Sequence, residues 1–224
     1  MNRLMVDVES FGLGDNALLL QVGMCLFDSE YKILSELKVD LDVTAGLLEG
    51  FESDPETACN FWGKQSGEAI ASVVTSQPRT SPLHGAQAIC VWLNHVVGSE
   101  AFELWTDGLL FDVPKVDNLL AKYNLPTLSS RTEYNKILDL RTVRKTTEQL
   151  YPVEFEELRN NTTNKLQHDA LADCVYQVEV LGGCMDILGG DGAGGVDSTL
   201  SEEELEFAAL VEKFVSLSNP GSAL

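Results

Sequence analysis

The seven residues "LMVDVES", positions 4–10, place Asp7 and Glu9 two apart within an apolar run. Side chains alternate between faces along a β-strand, so both carboxylates point to the same side. Met5, Val6 and Val8 are apolar on both sides of Asp7. That pattern suits a strand covered on both faces better than an exposed edge with two solvated acids. Like charges about 4 Å apart repel by about 4 kcal/mol at an effective dielectric near 20. A buried pair therefore takes up a proton or binds cations.

Other apolar runs surround this strand. "RLMVDV" (3–8) leads into the glycine-punctuated turn "FGLGDN", and "LLLQVGMCLFD" (18–28) and "ILSELKVDLDV" (33–43) follow with a short polar connection. Three such runs predict an antiparallel meander. Helical patterns follow at "DPETACNFWGKQ", from 54, and "GEAIASVVTSQ", from 67. In "SPLHGAQAICVWLNHVV", Ser81 can cap a helix and Pro82 suits its first position. "FELWTDG" (102–108) reads as a strand feeding the helix "FDVPKVDNLLAKY"; "DLRTVRKTTEQL" (139–150) and "DALADCVYQVEVL" (169–181) read as two more helices. Strands early and strand–helix alternation later describe an α/β domain over 1–181. A glycine-rich linker is expected over 182–198, then an acidic helix and tail over 199–224, where Ser201 and Glu204 form a capping-box pattern. This helix is expected to dock on its own domain or move freely; a homodimer contact or protein partner is the alternative.

With 224 residues, 44% of them hydrophobic, the chain can bury a full core. Its apolar runs are too short to span a bilayer, and no signal peptide or membrane association is expected. Five scattered cysteines without a C-x-x-C pair point to free thiols in a reducing compartment, so the expected location is the cytoplasm. The formal net charge of −20 should repel a nucleic-acid backbone at long range. Lys115, Lys122, Arg131, Lys136, Arg141, Arg144, Lys145, Arg159 and Lys165 nevertheless put nine of the fifteen basic residues between 115 and 165. They could form a positive lip, although solvated side chains explain them as simply.

Two further acids and a histidine complete the candidate set. Asp112 begins a helix just past a strand, where an aspartate can cap the helix or face a cleft at the strand ends. In the helix from Asp169, the residues Leu171, Cys174, Val175 and Val178 form one apolar stripe, and Asp173 lies about 200° from Leu171, away from that stripe. His168 precedes the helix. A fixed carboxylate beside a less constrained imidazole suits a metal ligand and a general base respectively. His84 and His95 lie in an ordinary amphipathic helix without acidic partners, which suits structural roles.

Together these residues resemble the DEDDh (DnaQ-like) 3′→5′ exonucleases of the RNase H-like superfamily. The matches are D-x-E at Asp7 and Glu9, F-D at Phe111 and Asp112, and H-x-A-x-x-D at His168 and Asp173, in order over about residues 4–181. Asp169 stands where the tyrosine-type class would have its tyrosine, which favours the histidine class. The segments "FWGKQSGEA" (61–69), "LWTDGLLFD" (104–112), "DLRTV" (139–143) and "HDALADCVYQ" (168–177) look like the bacteriophage exonuclease A and exonuclease VIII-type branch. Thr106 and Asp107 depart from that branch, which usually has glycine and asparagine there, and Ile137 and Leu138 stand before Asp139.

The resemblance implies a mixed five-stranded sheet, three antiparallel strands then parallel ones, flanked by helices. It implies two divalent cations, Mg2+ or Mn2+, held by Asp7, Glu9, Asp112 and Asp173, with His168 taking the proton from an attacking water. Ser10 and Phe11 would contact the terminal nucleotide, and Trp62, Gln65 and Asp107 would line the substrate site. Single-stranded DNA is the first expected substrate. An RNA-directed activity of the oligoribonuclease or RNase T type is the alternative, and a non-catalytic binding or scaffold module is the third reading. The five intact residues speak against that third reading, since a scaffold needs none of them.

Overall fold

β1 (Asn2–Ser10) runs through the middle of a five-stranded sheet, with Leu4, Met5, Val6 and Val8 buried. The computed structural model describes residues 2–98, 100–162 and 168–190. β2 (Leu19–Phe27) and β3 (Ile33–Asp40) complete the antiparallel meander; β4 (Phe102–Thr106) and β5 (Ile137–Asp139) add in parallel on the other side, giving the order β3-β2-β1-β4-β5.

Even-numbered residues of β1 face one core and odd-numbered residues the other. Leu4, Val6 and Val8 pack with α3 (Pro82–Val96) and α4 (Asp112–Lys122). Met5 packs with α6 (Leu140–Leu150), α7 (Pro152–Asn161) and α8 (Ala170–Gly189). Asp7 and Glu9 share the parity of Met5 and so emerge on the α8 side. The antiparallel register sets Gly23 and then Lys38 beside Asp7, and Gln21 and then Asp40 beside Glu9. A Cβ on Gly23 would overlap the backbone of Ala170 and Leu171, so its bare surface lets the start of α8 settle on the sheet next to Asp7.

Several local readings change. The third strand stops at Asp40, and the expected extension to 43 becomes the entry to α1 (Val43–Leu48), whose cap is Asp42 accepting from the Ala45 amide at 2.7 Å. The two helical segments expected from 54 and from 67 form, parted by the extended Gln65 and Ser66, but Thr57–Thr75 is of mixed pitch: π-type turns at Thr57–Phe61 and Ala71–Thr75, a 3-10 turn at Trp62–Lys64, and α2 (Gly67–Ile70). α5 (Leu128–Arg131), α7 and the three-residue β5 carry too few periodic apolar positions to have been read. Residues 182–189, expected to open the linker, continue α8. Gly182 lies against the Tyr31 ring and Gly183 against Leu158, so these glycines serve close packing. The remainder of that linker from 191, and the helix expected over 199–224, lie outside the described residues. No helix among the described residues is long and apolar enough to cross a membrane.

Gly23→Ala should destabilise the fold by about 1–3 kcal/mol, because the backbone it meets cannot give way as a flexible side chain would. For a chain of this size that is a fall in Tm of about 2–4 °C per kcal/mol. Gly14→Ala, whose Cβ would meet nothing within 4 Å, should melt within about 0.5 kcal/mol of the wild type. Equal melting of the two variants would contradict the packing account.

Candidate active site

Four elements converge at the C-terminal end of β1. Asp7 and Glu9 come from the strand itself, Asp112 from the first residue of α4, Asp173 from the first turn of α8, and His168 from the turn before it. Asp112 does not cap its own helix. Its Oδ1 accepts from the Val8 amide at 3.3 Å and its Oδ2 from the Thr106 hydroxyl, so one buried carboxylate ties β1, β4 and α4 together. Lys115 strengthens that corner: its buried ammonium donates to the carbonyls of Leu13 (3.2 Å) and Phe111 (3.1 Å) and lies over the Phe111 ring. It therefore plays no part in the expected positive lip.

Asp7 Oδ1 accepts from Gln177 Nε2 at 2.8 Å. Gln177 is a buried polar residue on the stripe between Cys174 and Val178, one turn beyond Asp173. Glu9, His168 and Asp173 each offer a ligand atom, all within 4.8 Å of one another, with His168 Nδ1 3.8 Å from Glu9 Oε1. The imidazole stands edge-on to Phe61 (ring centroids 5.0 Å apart) and Trp62 (6.2 Å), and its backbone takes the left-handed conformation, φ 62°.

The electrostatics are unfavourable for carboxylates alone. Burial, then Asp112, Glu9 and Asp173, pushes Asp7 well above the usual carboxylate range. Burial, followed by Asp173, Asp112 and Asp169, raises Glu9 to about 8, and burial raises Asp112 to about 6 against the hydrogen bonds from Thr106 and Val8. Among the described residues, no lysine or arginine forms an ion pair with Asp7, Glu9 or Asp112. Lys115 eases the charge of Asp112 only in part, and mutually repelling hard oxygen donors beside one imidazole fit a divalent cation.

The residues expected to touch substrate divide. Phe11 is half-buried, and its ring lies edge-on to Trp62. Trp62 is buried with Leu20 and Val73, and its indole N–H donates to the Ser10 carbonyl at 2.9 Å. The Ser10 hydroxyl is turned into the chain, donating to Gly12 O at 2.8 Å; Gln65 donates to Phe61 O at 3.1 Å within its own turn. Asp107 meets Arg144 at 3.1 Å and Arg141 at 3.7 Å, so two guanidiniums face the carboxylate that replaces the usual asparagine. Burial still raises its pKa against the pull of both arginines. Of the expected basic lip, Arg141, Arg144 and the exposed Lys145 lie on α6, Arg159 pairs with Glu156, Lys136 with Glu133, and Lys165 lies outside the described residues.

Sequence reading missed Gln177, Thr106, Phe61 and the partners of Asp169. Gln177 left a trace, as an amide on an apolar stripe. Asp169 left none: Lys38, 131 positions away, reaches its Oδ2 at 2.5 Å, and Ser72 reaches the same oxygen at 2.6 Å. Burial raises the Asp169 pKa, and hydrogen bonds from Lys38, Ser72 and the Ala172 amide more than reverse that effect.

Residues 2–185 match the family model of the 3′-5′ exoribonuclease Rv2179c-like domain. No curated protein sequence matches the chain. Among solved structures, an exonuclease I aligns at TM-score 0.56 and 15% identity over 83% of this chain. E. coli exonuclease I in complex with a dT13 oligonucleotide aligns at 0.56 and 17% over 83%, and the zinc-bound E. coli exonuclease I–single-stranded DNA complex at 0.56 and 17% over 83%. The alignments take in 40%, 41% and 40% of those chains respectively, so this chain spans well under half of each. At such identity the likeness is one of fold: the mixed sheet flanked by helices is the RNase H-like fold of exonucleases.

The carboxylate shifts fix the sign of a pH effect on the cation-free protein. Glu9 has a folded pKa of about 8 against 4.5 for the free side chain, so the unfolded chain ionises first as pH rises. Its contribution to stability is complete below about 4.5 and is lost as pH climbs through about 8. Glu9→Gln should therefore raise the Tm of EDTA-treated protein at pH 8 by about 3 °C or more, and change it little at pH 5. A Tm that falls at pH 8 would reject the account of repelling carboxylates.

Proposed function

The chain belongs to the 3′-5′ exoribonuclease Rv2179c-like domain family, a 3′-5′ exonuclease and hence a hydrolase, and from that premise we propose that it removes nucleotides from single-stranded 3′ ends, with RNA as its substrate. The observation that carries the catalytic reading is the meeting of Asp7, Glu9, Asp112 and Asp173 with His168 at one strand end. The family description favours RNA over the DNA expected from sequence. Single-stranded DNA is the second reading, supported by the fold shared with an exonuclease I bound to dT13. The segments around Trp62, Asp107, Arg141 and His168 support kinship with the bacteriophage exonuclease A branch.

Asp7, Glu9, Asp112 and Asp173 would hold two divalent cations, Mg2+ or Mn2+. Such ions, when bound, supply a nucleophilic water at neutral pH and stabilise the charge on a cleaving phosphodiester. Gln177, Thr106 and the Val8 amide orient the carboxylates through neutral donors that leave their charge available. His168 would receive the proton as water oxygen bonds to phosphorus and the bond to the 3′-oxygen breaks. Phe61, 40% exposed, and the half-buried Phe11 offer ring faces on which a terminal base can stack.

Matched 5′-labelled RNA and DNA oligonucleotides, incubated with Mn2+ or EDTA, test the proposal. Wild-type protein should give a Mn2+-dependent ladder from the 3′ end, stronger on RNA, and Asp7→Ala should give none. His168→Ala should slow cleavage by about 10²–10⁴-fold while keeping Mn2+ affinity near the wild-type value. A DNA-only ladder would favour the second reading. An intact, folded protein that cleaves neither would identify a binding module instead.

A further inference from the structure

We infer that Lys38 is a positioning residue for the hydrolysis: together with Ser72 it grips Asp169 and so fixes the backbone from which His168 reaches the cleft. The inference rests on the reading of His168 as the proton acceptor.

Two cross-strand rows carry the start of α8: Lys38–Gly23–Asp7 and Asp40–Gln21–Glu9. The helix settles over Gly23, which lets Asp169 reach across to the edge strand. There its Oδ2 accepts from Lys38 Nζ at 2.5 Å and from Ser72 Oγ at 2.6 Å, while Oδ1 accepts from the Ala172 amide at 3.2 Å. The next amide, Ala170, donates to Gln21 Oε1 at 3.2 Å; Gln21 Nε2 donates to Asp40 Oδ1 at 2.7 Å and to Ser72 O at 3.1 Å. Asp169 and Gln21 are both buried. The first residues of α8 are thereby fastened to β2, β3 and the Thr57–Thr75 segment.

His168 lies one residue before this fastening, at φ 62°. A non-glycine residue in that conformation costs about 1–2 kcal/mol and persists only where its surroundings hold it. Phe61 and Trp62, which flank its ring, belong to the same irregular helical segment as Ser72. One segment thus both flanks the imidazole and joins the grip on its neighbour. A charge-assisted hydrogen bond such as Lys38–Asp169 is a stronger tether than a neutral one. Its loss frees the turn to swing the ring away from Glu9, and a displacement of about 1 Å at a reacting group can cost about 100-fold.

A double-mutant cycle with His168 separates positioning from general stability. Single-turnover hydrolysis of whichever labelled oligonucleotide the wild type degrades, with Mn2+, is measured for Lys38→Met and Lys38→Arg, and for Lys38→Met in the His168→Ala background. Lys38→Met should slow the chemical step about 10-fold or more, with KM and the Mn2+ midpoint within about twofold of wild type. Lys38→Arg should recover most of the rate, and Lys38→Met should cost nothing further once His168 is alanine. The same proportional loss in both backgrounds, or a shift of KM and Mn2+ midpoint with the rate, would overturn the inference. Should Lys38→Met fail to fold, Ser72→Ala, which removes the hydroxyl that donates to Asp169 and accepts from Lys38 at 3.5 Å, takes its place with the same pattern expected at about threefold. If His168→Ala cleaves as fast as the wild type, the reading of His168 fails first and the positioning role goes with it. A slow His168→Ala combined with an additive Lys38→Met defeats the positioning role alone.

Discussion

Repulsion among carboxylates gathered at the C-terminal end of β1 is the constraint around which the molecule is arranged. Acids in this region fall into two groups by the partners that the fold gives them. Asp107 faces two arginines and Asp169 a lysine, so their charge is met locally. Asp7 and Asp112 receive hydrogen bonds from an amide side chain, a hydroxyl and a backbone N–H, all neutral. Neutral donors fix where an oxygen points without cancelling its charge. Cations bound in the cleft would offset the burial and mutual repulsion that raise the pKa values of Asp7 and Glu9.

This division also bears on the contrast between a charge of −20 and the proposed nucleic-acid substrate. The long-range field of the protein opposes a polyanion, while the cleft would reverse sign locally once its cations are in place. Arg141 and Arg144 are partly occupied by Asp107, and Lys115 is drawn into the corner beneath α4. Bound ions, more than a basic surface, would then supply attraction for phosphate. An affinity built in this way depends on divalent cation concentration as well as on ionic strength.

Much of this was legible in the sequence, and the illegible parts share a cause. The apolar residues around Asp7 identify a central strand because burial on both faces leaves a continuous run, and the meander follows from the short turns after it. The D-x-E spacing lies within one strand, and the F-D and H-x-A-x-x-D spacings each join a helix start to the residues just before it, so a linear pattern can show them. What lay hidden depends on register between distant elements: Lys38 meets Asp169 only because β3 pairs with β2 in one alignment and Gly23 leaves room above it. β5, three residues long, carries too little alternation to be seen. Gly182 and Gly183 were misread because a glycine that lets a chain bend and a glycine that lets two surfaces touch are the same letter.

The last two turns of α8 bear on where this molecule can be cut. Composition places the natural severance point at Leu181, ahead of the glycines. A chain shortened there would lose the buried Cys184 and the seats that Gly182 and Gly183 provide for Tyr31 and Leu158. It would uncover Tyr31 and Leu158 at the end of the helix opposite Asp173. Excision after Gly190 spares that whole helix. For anyone trimming the protein for crystallisation or fusion, those nine residues separate an intact scaffold from a frayed one.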